Sequence, residues 1–217
     1  MPKSYGWLHG MMLLAAWLFS GAVMAAADVG LVNLVQGEVG YTGEVGAVRV
    51  TPFMKVREGD RFVVPEGATL RVVYFEGGRQ ETWKGPSAFR AGNRQGDGGT
   101  GRPEVSQVPG GAASRLSQTA EVIQIARLGR AGGVTVRGVK PAQLSASQAA
   151  EVAQARKLYE TWRGNAAADD ITPELYLYTV LESFMLYDDL RTVIRAMQQR
   201  APNSPEVAEL AAWIASR

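Results

Sequence analysis

Carboxylates, lysines and tyrosines are the side chains through which this 217-residue chain would do chemistry, because it has no cysteine and one histidine, His9. With His9 in a segment expected to be removed, neither a Ser-His-Asp nor a Cys-His arrangement nor a His or Cys metal site is available. Two acid pairs stand out, Asp169-Asp170 and Asp188-Asp189. Adjacent carboxylates do not face one another across a substrate as the two acids of a glycosidase must, and neither pair has the D-x-D-x-D-G spacing of a calcium loop. Each stands just ahead of a helical pattern, where a carboxylate satisfies free N–H groups, so capping is the expected role. Gly96, Gly98 and Gly101 match a dinucleotide fingerprint in spacing alone. No apolar strand feeds them, and Arg102-Pro103 follows where a helix should begin. No catalytic residue, cofactor site or metal site is assigned, which leaves recognition. Tyr159, Trp162, Tyr176, Tyr178, Phe184, Tyr187 and Trp213 read mainly as a small core. Tyr176, off the stripe of Leu175, Tyr178, Leu181 and Met185, and Trp213 are the candidate partner contacts.

The elements that must position these residues begin after a leader. Lys3, the 13-residue apolar run Met11–Val23 and the small residues Ala25-Ala26-Ala27 have the layout of a secretory signal, with cleavage expected between Ala27 and Asp28. That run is short of the roughly 20 residues that span a bilayer. Cleavage removes Lys3 and no acid, so of 23 basic residues all but one remain against 21 acids, a net of +1. Such a balance gives no general pull toward nucleic acid. The arginines between Arg90 and Arg137 are spread thinly enough to read as a solvated surface. Without cysteine the exported chain has no disulfides, and its apolar cores must hold it unaided.

The stretch Val56–Arg90 alternates short apolar strands with turns. Leu70, Val72 and Tyr74 alternate with Val73 and Phe75, so this strand is expected to be covered on both faces. Gly77-Gly78 fits a two-residue hairpin turn, which would set Glu76 opposite Arg79, Val73 opposite Thr82 and Val72 opposite Trp83. Glu58-Gly59-Asp60, Pro65-Glu66-Gly67 and Gly85-Pro86 supply the other turns.

Five motifs in order carry a resemblance: VQGEV (Val35–Val39), the EGD turn at Glu58, PEGA from Pro65, FEGG from Phe75 and GPSAF from Gly85. Over about Leu31–Ala91 the chain resembles FecR-like periplasmic domains. The resemblance implies an all-β sandwich or jelly-roll-like domain over 28–91, a periplasmic location and a part in envelope signalling or binding. The motifs are turn chemistry, so the resemblance specifies a platform and no catalytic residues.

Residues 92–113, rich in glycine and proline, are expected as a linker or long surface loop, and 114–140 as a connecting helix with a strand at Val134–Val139. From 141 the period becomes helical. Ser145 with Gln148 forms a capping box, Thr172-Pro173-Glu174 and Ser204-Pro205-Glu206 read as helix starts, and Asp188-Asp189 opens another helix. The two Pro-Glu starts lie 32 residues apart, close to the 34-residue tetratricopeptide period, and 141–217 resembles such helical hairpins.

The expected architecture is thus α+β and multidomain: signal 1–27, β domain 28–91, linker 92–113, connector 114–140 and helical hairpins 141–217. The expected function is an exported, non-enzymatic binding or scaffolding protein of the periplasm, with an envelope protein or peptidoglycan as partner and no nucleic acid. Two alternatives stay open: a cell-wall glycan-binding module or carboxylate-based hydrolase, and a sensor held in the membrane by an uncleaved Met11–Val23 helix.

Overall fold

A computed structural model describes residues 27–43, 46–119, 121, 123 and 143–215. The leader up to residue 26, most of the second half of the 114–128 helix and the Val134–Val139 strand lie outside the described residues. Ten strands come first: β1 (Asp28–Gln36), β2 (Gly40–Gly43), β3 (Gly46–Arg49), β4 (Lys55–Arg57), β5 (Arg61–Val64), β6 (Thr69–Tyr74), β7 (Arg79–Lys84), β8 (Ser87–Ala91), β9 (Gly96–Thr100) and β10 (Glu104–Gln107). The helices with described bounds are α1 (Ala112–Leu116), α2 (Ala146–Asn165), α3 (Thr172–Ser183), α4 (Tyr187–Arg200) and α5 (Pro205–Ala215).

The strands form two antiparallel five-stranded sheets, ordered β10-β7-β6-β1-β4 and β3-β2-β5-β8-β9. Their inner faces meet in one core, with Val32, Leu70, Val72 and Tyr74 from the first sheet against Phe62, Val64 and Phe89 from the second. Trp83 of the first sheet stacks on Phe89 of the second with centroids 4.2 Å apart and planes 8° apart. The other face of the first sheet carries Leu31 and Val73 into a second core shared with α1–α5. This explains why β6 is apolar on both faces, as its pattern predicts: one face meets the opposite sheet and the other meets helices. The result is an α+β arrangement whose β part is N-terminal.

Two expectations change. The β6–β7 hairpin is registered Leu70↔Trp83, Arg71↔Thr82 and Val72↔Glu81, two positions from the predicted pairing, so its loop has four residues, Phe75–Gly78. Gly77 and Gly78 both have left-handed φ, 82° and 66°, as glycines in such a loop must. Phe75 is held out of the ladder by its N–H bond to Val29 O at 2.9 Å. Glu76 joins Asn93 and Arg94 (Nε at 2.7 Å) and leaves Arg79 to Glu81. A shift of two keeps every side chain on its face, so the core pattern survives the error. Secondly, the glycine-rich 92–113 segment is no plain linker, because it contributes β9 and β10, one edge strand to each sheet, and extends the β region to residue 107. Its glycines conceal a strand because they are there for close approach. A Cβ at Gly96 would stand 2.7 Å from the Trp83 ring and 2.9 Å from that of Phe89. Of the other two glycines in the dinucleotide-like spacing, Gly101 would place a Cβ equally close to Ser87 Cβ, at 2.7 Å, while Gly98 has open space around it and a left-handed φ of 55°.

Helix α2 starts with the predicted capping box, Ser145 Oγ accepting from Gln148 N–H and Gln148 Oε1 accepting from Ser145 N–H at 2.9 Å. Helix α3 ends in a Schellman pattern: Leu186 N–H reaches Leu181 O at 3.0 Å and Met185 N–H reaches Glu182 O at 2.8 Å, with Met185 at φ 54°. Successive helices α2 to α5 pack each on the next, the antiparallel stacking that short loops dictate. No helix among the described residues is long and apolar enough to cross a membrane.

Candidate functional site

Three polar residues on the helix-facing side of the first sheet sit where apolar ones would be expected. Asn33 on β1, Arg71 on β6 and Gln80 on β7 are 3%, 7% and 5% exposed. Helix α3 approaches them with Asp170 and Thr172, themselves 3% and 0% exposed. Gln80 Nε2 donates to Asp170 Oδ2 at 2.8 Å and to Ser106 Oγ at 3.2 Å, which fixes its amide orientation. Its Oε1 then accepts from Asn33 Nδ2 and from Thr172 Oγ1, both at 3.1 Å. Asn33 Nδ2 also donates to Thr172 Oγ1, and Thr172 donates its N–H to Asp170 Oδ1 at 2.9 Å. Arg71 stands 3.8 Å from Asp170 and 3.5 Å from Asp169, and its Nε donates to Thr82 Oγ1 at 3.0 Å. The sandwich and the helices are thereby joined by a buried polar seam as well as by apolar contact.

The expected capping role of Asp169-Asp170 is met only in part. Asp170 does accept the Thr172 N–H, but its second oxygen bolts the helix to β7. Thr172, expected as the cap, is the first residue of α3, with Ile171 before it, and its hydroxyl belongs to the seam. Asp188 and Asp189 lie in the first turn of α4, where Asp188 pairs with Arg191 and Asp189 with Arg156 at 2.6 Å.

In the first turn of α3, Glu174 is fully buried, and three groups from other helices converge on it. Arg163 Nη1 lies at 3.0 Å, Arg200 Nε at 2.9 Å and Tyr159 OH at 3.2 Å. Burial first, and the Glu174 charge second, push the Tyr159 phenol above its ordinary range, so it stays a donor. This clamp ties α2, α3 and α4 together. A carboxylate so fully paired is spent on structure.

Beside the seam lies a cleft of about 490 Å³, walled by β1 from Asn33 to Gly37, by the Arg49–Pro52 connection and by the α4–α5 turn from Arg200 to Glu206. Asp169 and Ile171 close its end. The cleft belongs to both parts of the molecule, and junctions of this size are where ligand sites concentrate. Asn33 lines it, and among the described residues the buried Oδ1 of Asn33 has no hydrogen-bond partner. Glu206 is buried at 4% and accepts the Ser204 hydroxyl at 3.0 Å. Among the described residues no three acids or histidines gather where a metal ion would sit.

The residues marked in the sequence fall elsewhere. Tyr176 is 7% exposed and packs against Trp162 with centroids 6.2 Å apart, and its phenol is raised chiefly by burial. Trp213 is 5% exposed and meets Tyr187 edge-on at 6.4 Å. Both belong to the helical core, and neither lines the cleft. Asp28 opens β1 and pairs with Lys55 at 2.8 Å and Arg57 at 3.5 Å, while Ala27 O accepts from Glu58 N–H at 3.2 Å. Asn33, Arg71 and Gln80 were not marked at all. Asn33 and Arg71 do carry a signal, each a lone polar residue between apolar neighbours, whereas Gln80, between Arg79 and Glu81, carries none.

No family model, no curated protein and no solved structure matches this chain.

Proposed function

We propose that the chain is an exported, non-enzymatic binding or scaffolding protein of the cell envelope, its sandwich a FecR-like domain and its helices tetratricopeptide-like hairpins. The observation that carries this reading is the seam. Asn33, Gln80 and Arg71 from the sheet and Asp170 and Thr172 from the helix hold the two parts in one orientation and leave a cleft that both line. Fixed orientation around a shared cleft is what a recognition module needs, since ordering costs on binding are then already met. The turn motifs support the family resemblance: Gly59, Gly67, Gly77 and Gly78 all take the left-handed φ that turns between short strands use.

Fractionation of expressing cells with N-terminal sequencing tests export. The mature chain is expected in the periplasm, starting near Asp28, and a chain retained in the cytoplasm with its leader intact would end this reading. Crosslinking in envelope extracts tests the partner, and recovery of neither protein nor peptidoglycan would count against a scaffold.

One observation favours the carboxylate reading: Asp169 and Glu206 line the same cleft. A peptidoglycan turbidity assay with the wild type and Glu206→Gln decides between them. Clearing by the wild type that the variant loses would replace the binding protein with a hydrolase.

A further inference from the structure

Strand β1 is paired on both sides for only part of its length. Against β6 it runs from Gly30↔Tyr74 to Gln36↔Thr69, but against β4 its register ends at Leu31↔Lys55. Val32 still has a partner on that side, its N–H donating to Met54 O at 2.9 Å and its carbonyl accepting from Phe53 N–H at 2.7 Å. Beyond it, the register with β6 skips Asn33, placing Val32 opposite Val72 and Leu34 opposite Arg71. Asn33 is the extra residue of a β-bulge, a device that re-aims a side chain beside a site.

What removes β4 from the rest of β1 is a tight turn. Met54 N–H closes on Thr51 O at 3.3 Å, with Pro52 and then Phe53 at its centre, and Phe53 takes a left-handed φ of 65°. A bulky residue holds that conformation only when its surroundings impose it, and Phe53 is anchored by burial at 5% exposure. The turn sends the chain away from β1 and leaves the edge from Leu34 to Gly37 unpaired by any described strand. Leu34 and Val35 are half-buried and Gln36 is exposed, so water and a ligand can reach this edge. The edge is one wall of the cleft, and the α4–α5 turn faces it.

Resting on the reading of this chain as a binding protein, we propose that the cleft takes an extended peptide segment of a partner, added as a strand along Leu34–Gly37 in the place that β4 leaves vacant. Alternate residues of an antiparallel strand direct N–H and C=O outward, so the edge offers a ladder that any extended backbone completes. Four residues at about 3.3 Å each give an edge of about 13 Å, room for three or four peptide residues. Asn33, whose Oδ1 is buried with no hydrogen-bond partner among the described residues, belongs to the same wall. The cations of the cleft are engaged: Arg200 with Glu174 at 2.9 Å, and Arg49 with Glu38 at 3.6 Å. Leu34, Val35, Val50, Pro52 and Ile171 give the wall its apolar part, and Asp169 and Glu206 add two acids. The preferred segment therefore carries no acidic residue and is rich in small and β-branched residues, which favour the extended form.

The test is selection of a displayed random heptapeptide library on the purified full chain, followed by calorimetry with the enriched peptides. Expected are micromolar binding, a loss of more than tenfold when alternate peptide amides are N-methylated, and chemical-shift changes centred on the Val35 amide, which alternation turns to the open edge. Asn203→Trp, on the exposed α4–α5 turn across the cleft, should weaken binding more than tenfold with an unchanged circular dichroism spectrum. The proposal is overturned if no peptide is enriched, if N-methylation has no effect, or if the shifts fall on β3 or β10. It is equally overturned if the Val35 amide, the one that alternation turns from β6 to the open edge, is already protected in the free chain. Self-association abolished by Asn203→Trp would assign the cleft to a second copy in place of a partner peptide. A failure of export leaves these results untouched, and an exported protein that selects no peptide removes this inference alone.

Discussion

Replacing Asp170 by alanine should lower stability by about 3 kcal/mol, and the size follows from what each of its partners keeps. The Asp170 side chain is 5% exposed and holds Gln80 Nε2 at 2.8 Å, Thr172 N–H at 2.9 Å and the Thr172 hydroxyl, with Arg71 at 3.8 Å. Hydrogen bonds to a charged group contribute about 1.5–3 kcal/mol each, but not all of that is lost. Gln80 keeps Ser106, and Arg71 keeps Asp169 and Thr82. The uncompensated losses are the Thr172 N–H, left buried, and the partial isolation of Arg71, whose side chain is 8% exposed. Asparagine should not rescue, because its NH₂ would face the NH₂ of Gln80 or the guanidinium. The neighbouring Asp169, at 47% side-chain exposure, should cost under about 0.5 kcal/mol on truncation. The assay is urea unfolding of Asp170→Ala, Gln80→Leu and the double variant, whose coupling energy should fall at about 1.5–3 kcal/mol. Hydrogen exchange on β7 and α3 then shows whether the two parts loosen from one another. A cost for Asp170→Ala below about 1 kcal/mol, or one matched by Asp169→Ala, would refute the seam as the joint.

Two further outcomes test the sandwich. Tyr74 is fully buried and its hydroxyl has no partner among the described residues; burial first, and the charge of Glu81 second, raise its phenol above the ordinary range. The folded chain thus keeps a proton that the unfolded chain gives up near pH 10. This contribution is fully present below that pH and is lost as pH rises above it. Tyr74→Phe should lie within about 1 kcal/mol of wild type at pH 7 and show a shallower fall of the urea midpoint between pH 9 and 10.5; equal slopes would sink the assignment. Gly96→Ala should cost about 1–3 kcal/mol, since its Cβ would press on the stacked rings of Trp83 and Phe89, whereas Gly110→Ala, with nothing within 4 Å, should be neutral. A neutral Gly96→Ala would mean that this glycine is there for another reason.

Where one periodicity dominated, the fold was legible. The alternation of Leu70, Val72 and Tyr74 with Val73 places β6 between two cores, and the caps at Ser145 and Ser204 start helices where expected. Legibility failed where a residue had two competing uses. Glycine between 92 and 113 reads as flexibility, yet Gly96 serves ring packing, and two strands went unseen. In the hairpin, Gly77-Gly78 fits a two-residue turn, but tertiary contacts of Phe75 and Glu76 widen the loop to four. Local turn preference lost to contacts that lie 17 or more residues away in the chain.

The site was less legible for a related reason. A polar residue in an amphipathic strand is expected on its wet face, and only the arrival of α3, 90 residues after Gln80 and 139 after Asn33, gives these two buried groups their partners. Removing them for apolar residues of equal size need not weaken the molecule, because polar seams offset their own desolvation poorly. What such a seam contributes is direction. Gln80 accepts and donates at fixed angles to Asp170, Thr172 and Asn33, so α3 can meet the sheet in one register, whereas an apolar face would tolerate sliding. In that register the open edge at Leu34–Gly37 and the α4–α5 turn line one cleft. The polar residues that look misplaced in β1, β6 and β7 are therefore the ones that give the cleft its shape.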